Sequence, residues 1–116
     1  MVPLLIFSLT GVIASPNYPN NYPANLRKTE IIEVEEGLSV VMQFTAFVVE
    51  SHSTCAFDYV TIKNGDGTTL MEKTCGSSLP AAVTSTSHRV EIYFHTHYRR
   101  SMSGWRLTWR AVTPGA

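Results

Sequence analysis

The residues of this chain that could do chemistry gather in two places. Glu50 and Asp58 bracket Cys55-Ala56-Phe57, and Phe94-His95-Thr96-His97-Tyr98-Arg99-Arg100 follows later in the chain. Two acids this close can serve a cation, and a cation held at a surface can organise a partner's contact. The same inventory speaks against catalysis. There is no Gly-x-Ser-x-Gly elbow, no His-Glu-x-x-His spacing among the four histidines, and no glycine-rich phosphate loop. These arrangements are recurrent signatures of nucleophilic hydrolysis, zinc proteolysis and phosphoryl transfer.

The two cysteines, Cys55 and Cys75, lack Cys-x-x-Cys spacing. In a β-rich domain that favours one disulfide over a metal or redox motif, with a pair of buried free thiols in a cytosolic protein as the alternative. A bridge closing a loop of this length would contribute roughly 3 kcal/mol on the chain-entropy account. The chain holds no Asn-x-Ser/Thr sequon, which neither supports nor opposes secretion.

At 116 residues, 44% hydrophobic and 16% charged, the chain is a single globular domain with its own core. Its formal net charge is zero, so no global field steers it to nucleic acid or anionic lipid. Charge is nevertheless segregated: Glu30, Glu33, Glu35 and Glu36 fall early, while Arg99, Arg100, Arg106 and Arg110 fall late. Val2-Pro3-Leu4-Leu5-Ile6-Phe7 is apolar without a basic flank, so residues 1–8 read as a leader, an expression scar or a leading strand. No apolar run is long enough to span a bilayer.

The elements that must position these groups are strands. Ser15-Pro16-Asn17-Tyr18-Pro19-Asn20-Asn21-Tyr22-Pro23 is turn-dense, because its prolines forbid a helix and a central strand alike. Strands are expected over residues 10–15, 29–35, 38–45 and 57–63, with a short one reaching Cys75. Leu38, Val40, Met42 and Phe44 alternate with mostly polar residues, as do Val90, Ile92 and Phe94, and Trp105, Leu107, Trp109 and Ala111. Asn64-Gly65-Asp66-Gly67 is a hairpin signal, whereas residues 75–80 and 84–87 read as loops. Short strands at this spacing, with no amphipathic helix, predict an all-β antiparallel sandwich.

The succession Gly11-Val12-Ile13-Ala14-Ser15-Pro16-Asn17-Tyr18-Pro19-Asn20-Asn21-Tyr22-Pro23, then Glu50, Cys55-Ala56-Phe57-Asp58-Tyr59-Val60, Asn64-Gly65, Cys75-Gly76 and Gly104-Trp105-Arg106-Leu107-Thr108-Trp109 resembles the CUB domain. The resemblance covers residues 9–112, leaving 113–116 as a linker. It implies a spermadhesin-like jelly-roll sandwich serving as a non-catalytic module of a secreted or cell-surface protein. Most CUB domains carry an earlier disulfide that this chain lacks, since Asn25-Leu26-Arg27-Lys28-Thr29-Glu30 contains no cysteine. In that respect it is similar to the one-disulfide modules that lead the complement-initiating proteases.

Calcium-binding CUB domains gather three acids at one end of the sandwich beside a tyrosine. Glu50 and Asp58 match the first two acids and Tyr18 matches the tyrosine, but His97 stands where the third acid belongs. Calcium takes about six to eight hard oxygen ligands, which an imidazole nitrogen replaces poorly. Three compensations are open to the two acids. Protonated His97, or a guanidinium from Arg99 or Arg100, takes the place of the ion, which is the favoured reading. Alternatively calcium binds weakly, or a transition metal is held by His95 and His97 with Glu50, His52 or Asp58. The resemblance implies protein recognition at the Glu50/Asp58 end, where the acidic cluster can receive a partner's lysine, and Arg99 and Arg100 are further candidate contacts. The other readings are a sulfated glycan on Arg99, Arg100, Arg106 and Arg110, or a spacer beside a protease.

Overall fold

The computed structural model describes residues 7–115, so most of the N-terminal segment read as leader, scar or leading strand lies outside the described residues. Eight strands form two antiparallel four-stranded sheets, with no helix among the described residues. The first sheet runs β1 (Thr10–Ala14), β8 (Gly104–Val112), β3 (Ser39–Val48), β6 (Val83–Thr84). The second runs β2 (Arg27–Glu33), β7 (Arg89–His95), β4 (Tyr59–Asn64), β5 (Thr69–Thr74). The sequence-level expectation of an all-β sandwich is met.

The alternating apolar residues face one another between the sheets. Val40, Met42 and Phe44 of β3, Trp105 and Leu107 of β8, Val60 and Ile62 of β4, and Val90, Ile92 and Phe94 of β7 are all buried. Burying each such side chain contributes about 1.5–3 kcal/mol, and together they hold the sandwich closed. Phe44 and Phe94 meet Trp105 edge-on, at centroid distances of 5.9 and 5.8 Å.

β3 also carries a bulge that matters for the site. Its pairing with β8 shifts between Phe44 and Ala46, which inserts one residue and reverses the facing of the rest of the strand. Before the bulge the even-numbered residues face the core; after it Phe47 and Val49 do. Val49 then exchanges both backbone hydrogen bonds with Gly76, at 2.9 Å each, and Glu50 leaves the sheet from there. Cys55 and Cys75 form a disulfide that fastens the loop after Glu50 to the end of β5.

Several boundaries differ from the expectation: β1 ends at Ala14 rather than Ser15, β3 runs Ser39–Val48 rather than 38–45, and β4 runs Tyr59–Asn64 rather than 57–63. The second strand is Arg27–Glu33 rather than 29–35, because the polar Arg27 and Lys28 pair with His95 and Phe94 at the sheet edge. Thr84, read as loop, belongs to β6, a strand of two residues and too short to show a period. The Asn64–Gly67 hairpin is present, with Gly67 N–H donating to the Asn64 carbonyl at 2.9 Å.

At the mouth of the site Gly104 has φ +90, and a Cβ there would collide with the Ser15 hydroxyl. Ser15 Oγ accepts the Trp105 N–H at 3.0 Å and ties β8 to the end of β1. Gly104→Ala is therefore expected to lower stability by about 2 kcal/mol through left-handed strain and overpacking. Urea denaturation would register this as a lower midpoint, and an unchanged midpoint would contradict it.

Candidate functional site

Three strand ends bring the site together: Glu50 follows β3, Asp58 precedes β4 and His97 follows β7. Thr96 fixes the last of these. It is fully buried, its backbone N–H donates to the Leu26 carbonyl, and its hydroxyl donates to the Pro23 carbonyl while accepting the Leu26 N–H. Asn25 N–H reaches the His97 carbonyl at 3.1 Å, so the proline-rich segment and the 96–97 backbone are locked together.

Within that frame Asp58 is 0% exposed and Glu50 8%. Asp58 Oδ2 accepts the Tyr22 hydroxyl at 2.6 Å, and Oδ1 accepts the His97 backbone N–H at 2.9 Å. The Tyr22 oxygen in turn accepts the Glu50 N–H at 3.1 Å. His97 Nε2 lies 2.8 Å from Glu50 Oε1 and 4.0 Å from Asp58 Oδ1. An ionised carboxylate only accepts, so Nε2 carries the proton of the shorter contact. The imidazole spans the gap between the acids, and one hydroxyl joins them from below.

The tyrosine of the site is thus Tyr22 and not Tyr18, which makes no side-chain hydrogen bond among the described residues. Tyr22 is buried, donates its backbone N–H to Met102 and packs edge-on against Phe94, which sets its hydroxyl between the acids. Burial first, and then the bond to Asp58, hold its phenol well above the ordinary value of 10.0. The folded chain keeps this proton where the unfolded chain would release it. The associated stability is intact below about pH 10 and declines as pH rises towards the folded value. Denaturation midpoints falling across that range, with the fall reduced in Tyr22→Phe, are the expected result.

The arginines assigned to the acids from sequence are not brought to them. Among the described residues neither Arg99 nor Arg100 forms an ion pair with Glu50 or Asp58. His97 has already bridged the pair, and Tyr98, Arg99 and Arg100 continue outward, all exposed. Arg99 instead lies 5.8 Å from the Phe57 ring centroid, and Phe57 stacks on His97 at 4.4 Å. Arg106 and Arg110 do share the outer face of the first sheet, where Arg106 donates to Thr45 Oγ1 at 2.9 Å. Arg110 lies six positions along β8 from Gly104, about 20 Å of strand, which sets it apart from the loop that carries Arg99 and Arg100.

The histidines also separate. His95 Nδ1 donates to the Phe57 carbonyl at 2.9 Å and its ring stacks on Tyr59. His52 Nδ1 accepts the Thr54 and Ala56 amides at 3.1 and 3.2 Å, shaping its own loop. Only His97 joins Glu50 and Asp58, and the three donor atoms lie within 4.8 Å of one another. This set does not fit calcium. His97 already donates to Glu50 Oε1, and the third corner of the set presents an imidazole nitrogen where calcium wants oxygen.

Comparison with known proteins places this geometry among relatives. The sequence profile of the CUB domain matches residues 5–109. Cubilin of Rattus norvegicus is 37% identical over 101 residues, covering 85% of this chain and 3% of that protein. Mannan-binding lectin serine protease 1 of Homo sapiens is 40% identical over 106 residues, covering 89% of this chain and 15% of that protein. The chain therefore spans only a small part of these relatives. Among solved structures, the MASP-1 CUB2 domain bound to Ca2+ superposes with a TM-score of 0.82 at 36% identity, over 90% of this chain and 94% of that one. The full extracellular region of zebrafish Gpr126/Adgrg6 matches with a TM-score of 0.83 at 26% identity, over 91% of this chain and 14% of that one.

Proposed function

The chain belongs to the CUB domain family, and from that premise we propose that it is a non-catalytic protein-recognition module of a larger extracellular protein, binding through the end that carries Glu50, Asp58 and His97. The observation behind this is the network at that end. Tyr22, Glu50, Asp58 and His97 are joined across three loops by hydrogen bonds, two between side chains and two through the Glu50 and His97 backbone amides. Loops positioned by a rigid scaffold are where binding residues concentrate.

A relative of this fold is described as bound to Ca2+. Here the imidazole does the ion's ordering work, so recognition proceeds without calcium. The match to the extracellular region of Gpr126 supports an extracellular setting, in keeping with the Cys55–Cys75 bridge.

A photo-crosslinking residue installed at position 98 on the secreted protein tests this reading. It should yield discrete adducts with extracellular proteins that unlabelled wild-type domain competes away, with or without chelator. The same group at Lys63, on the sheet face, should yield none. Equal labelling from both positions, or labelling that chelator abolishes, would overturn the assignment.

A further inference from the structure

We propose that the partner group received at this end is an acidic protein segment, a cluster of aspartate or glutamate side chains, rather than a lysine. This rests on the proposed recognition role of the same end and names the chemistry of its partner.

The end presents the opposite charge from the one its acids suggest. Three loops meet there: residues 15–26, 49–58 and 96–103. The first contains no charged residue. The other two contribute Glu50 and Asp58, which are buried, and Arg99 and Arg100, which are exposed. Every formal charge that these loops turn to solvent is therefore positive.

The acids are also chemically occupied. Asp58 is satisfied by Tyr22 and the His97 amide, and Glu50 faces the His97 N–H. An incoming ammonium would have to compete with that imidazole for Glu50 and would meet the exposed positive charge of Arg99 and Arg100 on the same loop. Like-charge juxtaposition of this kind disfavours a partner, whereas complementary charge steers and orients one.

The positive groups come with a surface that suits carboxylates. Neither Arg99 nor Arg100 is in an ion pair among the described residues, so their planar forks are available for bidentate contact. Arg99 is braced against Phe57, and Tyr98, 74% exposed, adds a ring and a hydroxyl beside them. Because His52 Nδ1 accepts backbone amides, its remaining proton sits on Nε2 as a further donor on this rim.

Fluorescence anisotropy on the intact chain distinguishes the outcomes. The probes are a short fluorescein-labelled Glu/Asp peptide, a Lys peptide of equal length and a labelled heparin fragment. The acidic peptide should bind at least about tenfold tighter than the Lys peptide, weakening with salt. Arg99→Ser with Arg100→Ser should remove about tenfold of that affinity, with the melting temperature unchanged because both side chains are exposed. Equal or tighter binding of the Lys peptide, or no loss in the double variant, would overturn the proposal. So would a heparin fragment that binds more tightly than the acidic peptide, which would assign the arginines to a glycan. Any of these results alongside successful crosslinking at position 98 would leave the recognition role standing and remove only the partner's charge.

Discussion

Replacing His97 with alanine is expected to lower the stability of the folded chain by about 3–4 kcal/mol. The magnitude reflects where the loss falls. Glu50 and Asp58 are both buried, and His97 Nε2 is the only side-chain donor that Glu50 has among the described residues. Removing it leaves a buried carboxylate without a partner and beside a second one, which costs more than the bond itself contributed. Glu50→Gln in the same chain should recover part of the loss, because an amide tolerates burial better than an unpaired charge. The single variants are then non-additive, which a double-mutant cycle in urea reads directly. A loss below about 1 kcal/mol would mean that the acidic pair does not depend on the imidazole.

Tyr22→Phe should cost about 3 kcal/mol while leaving the ring's packing against Phe94 intact. One hydroxyl serves two groups here: it donates to Asp58 Oδ2 and accepts the Glu50 N–H. Its removal leaves a buried charged acceptor and a buried backbone donor each short of a bond. Tyr18→Phe is the control, with a change within about 0.5 kcal/mol, since that hydroxyl makes no bond among the described residues. Comparable losses at the two positions would return Tyr18 to the site.

The sandwich itself was legible because its strands alternate cleanly: Val90, Ile92 and Phe94, or Val40, Met42 and Phe44, can bury one face only as strands. The β3 bulge also left a trace, in the parity break between Phe44 and Phe47, although period counting over shorter windows passes over it. Glu50, Asp58 and His97 could be picked out because their types and order match a known site. Tyr22 could not be told from Tyr18, since each precedes a proline in the same turn-rich run. Long-range contacts select Tyr22: its amide bonds to Met102, and the segment closes on His97 through Asn25. Thr96 was invisible for the same reason, as its three partners come from residues 23–26. Arg99 and Arg100 stand beside His97 as alternative partners for the acids at the level of sequence, which shows proximity along the chain, not which residue of a loop turns inward.

The central claim is that His97 holds the acidic pair in place of an ion. Thermal melting of the wild-type chain and of His97→Asp, each with chelator and with millimolar calcium, tests it most directly. The wild-type melting temperature should be the same in both conditions. His97→Asp restores a third carboxylate to the site, and its melting temperature should rise by about 5 °C or more with calcium. A wild-type chain that calcium stabilises to that extent would contradict the account.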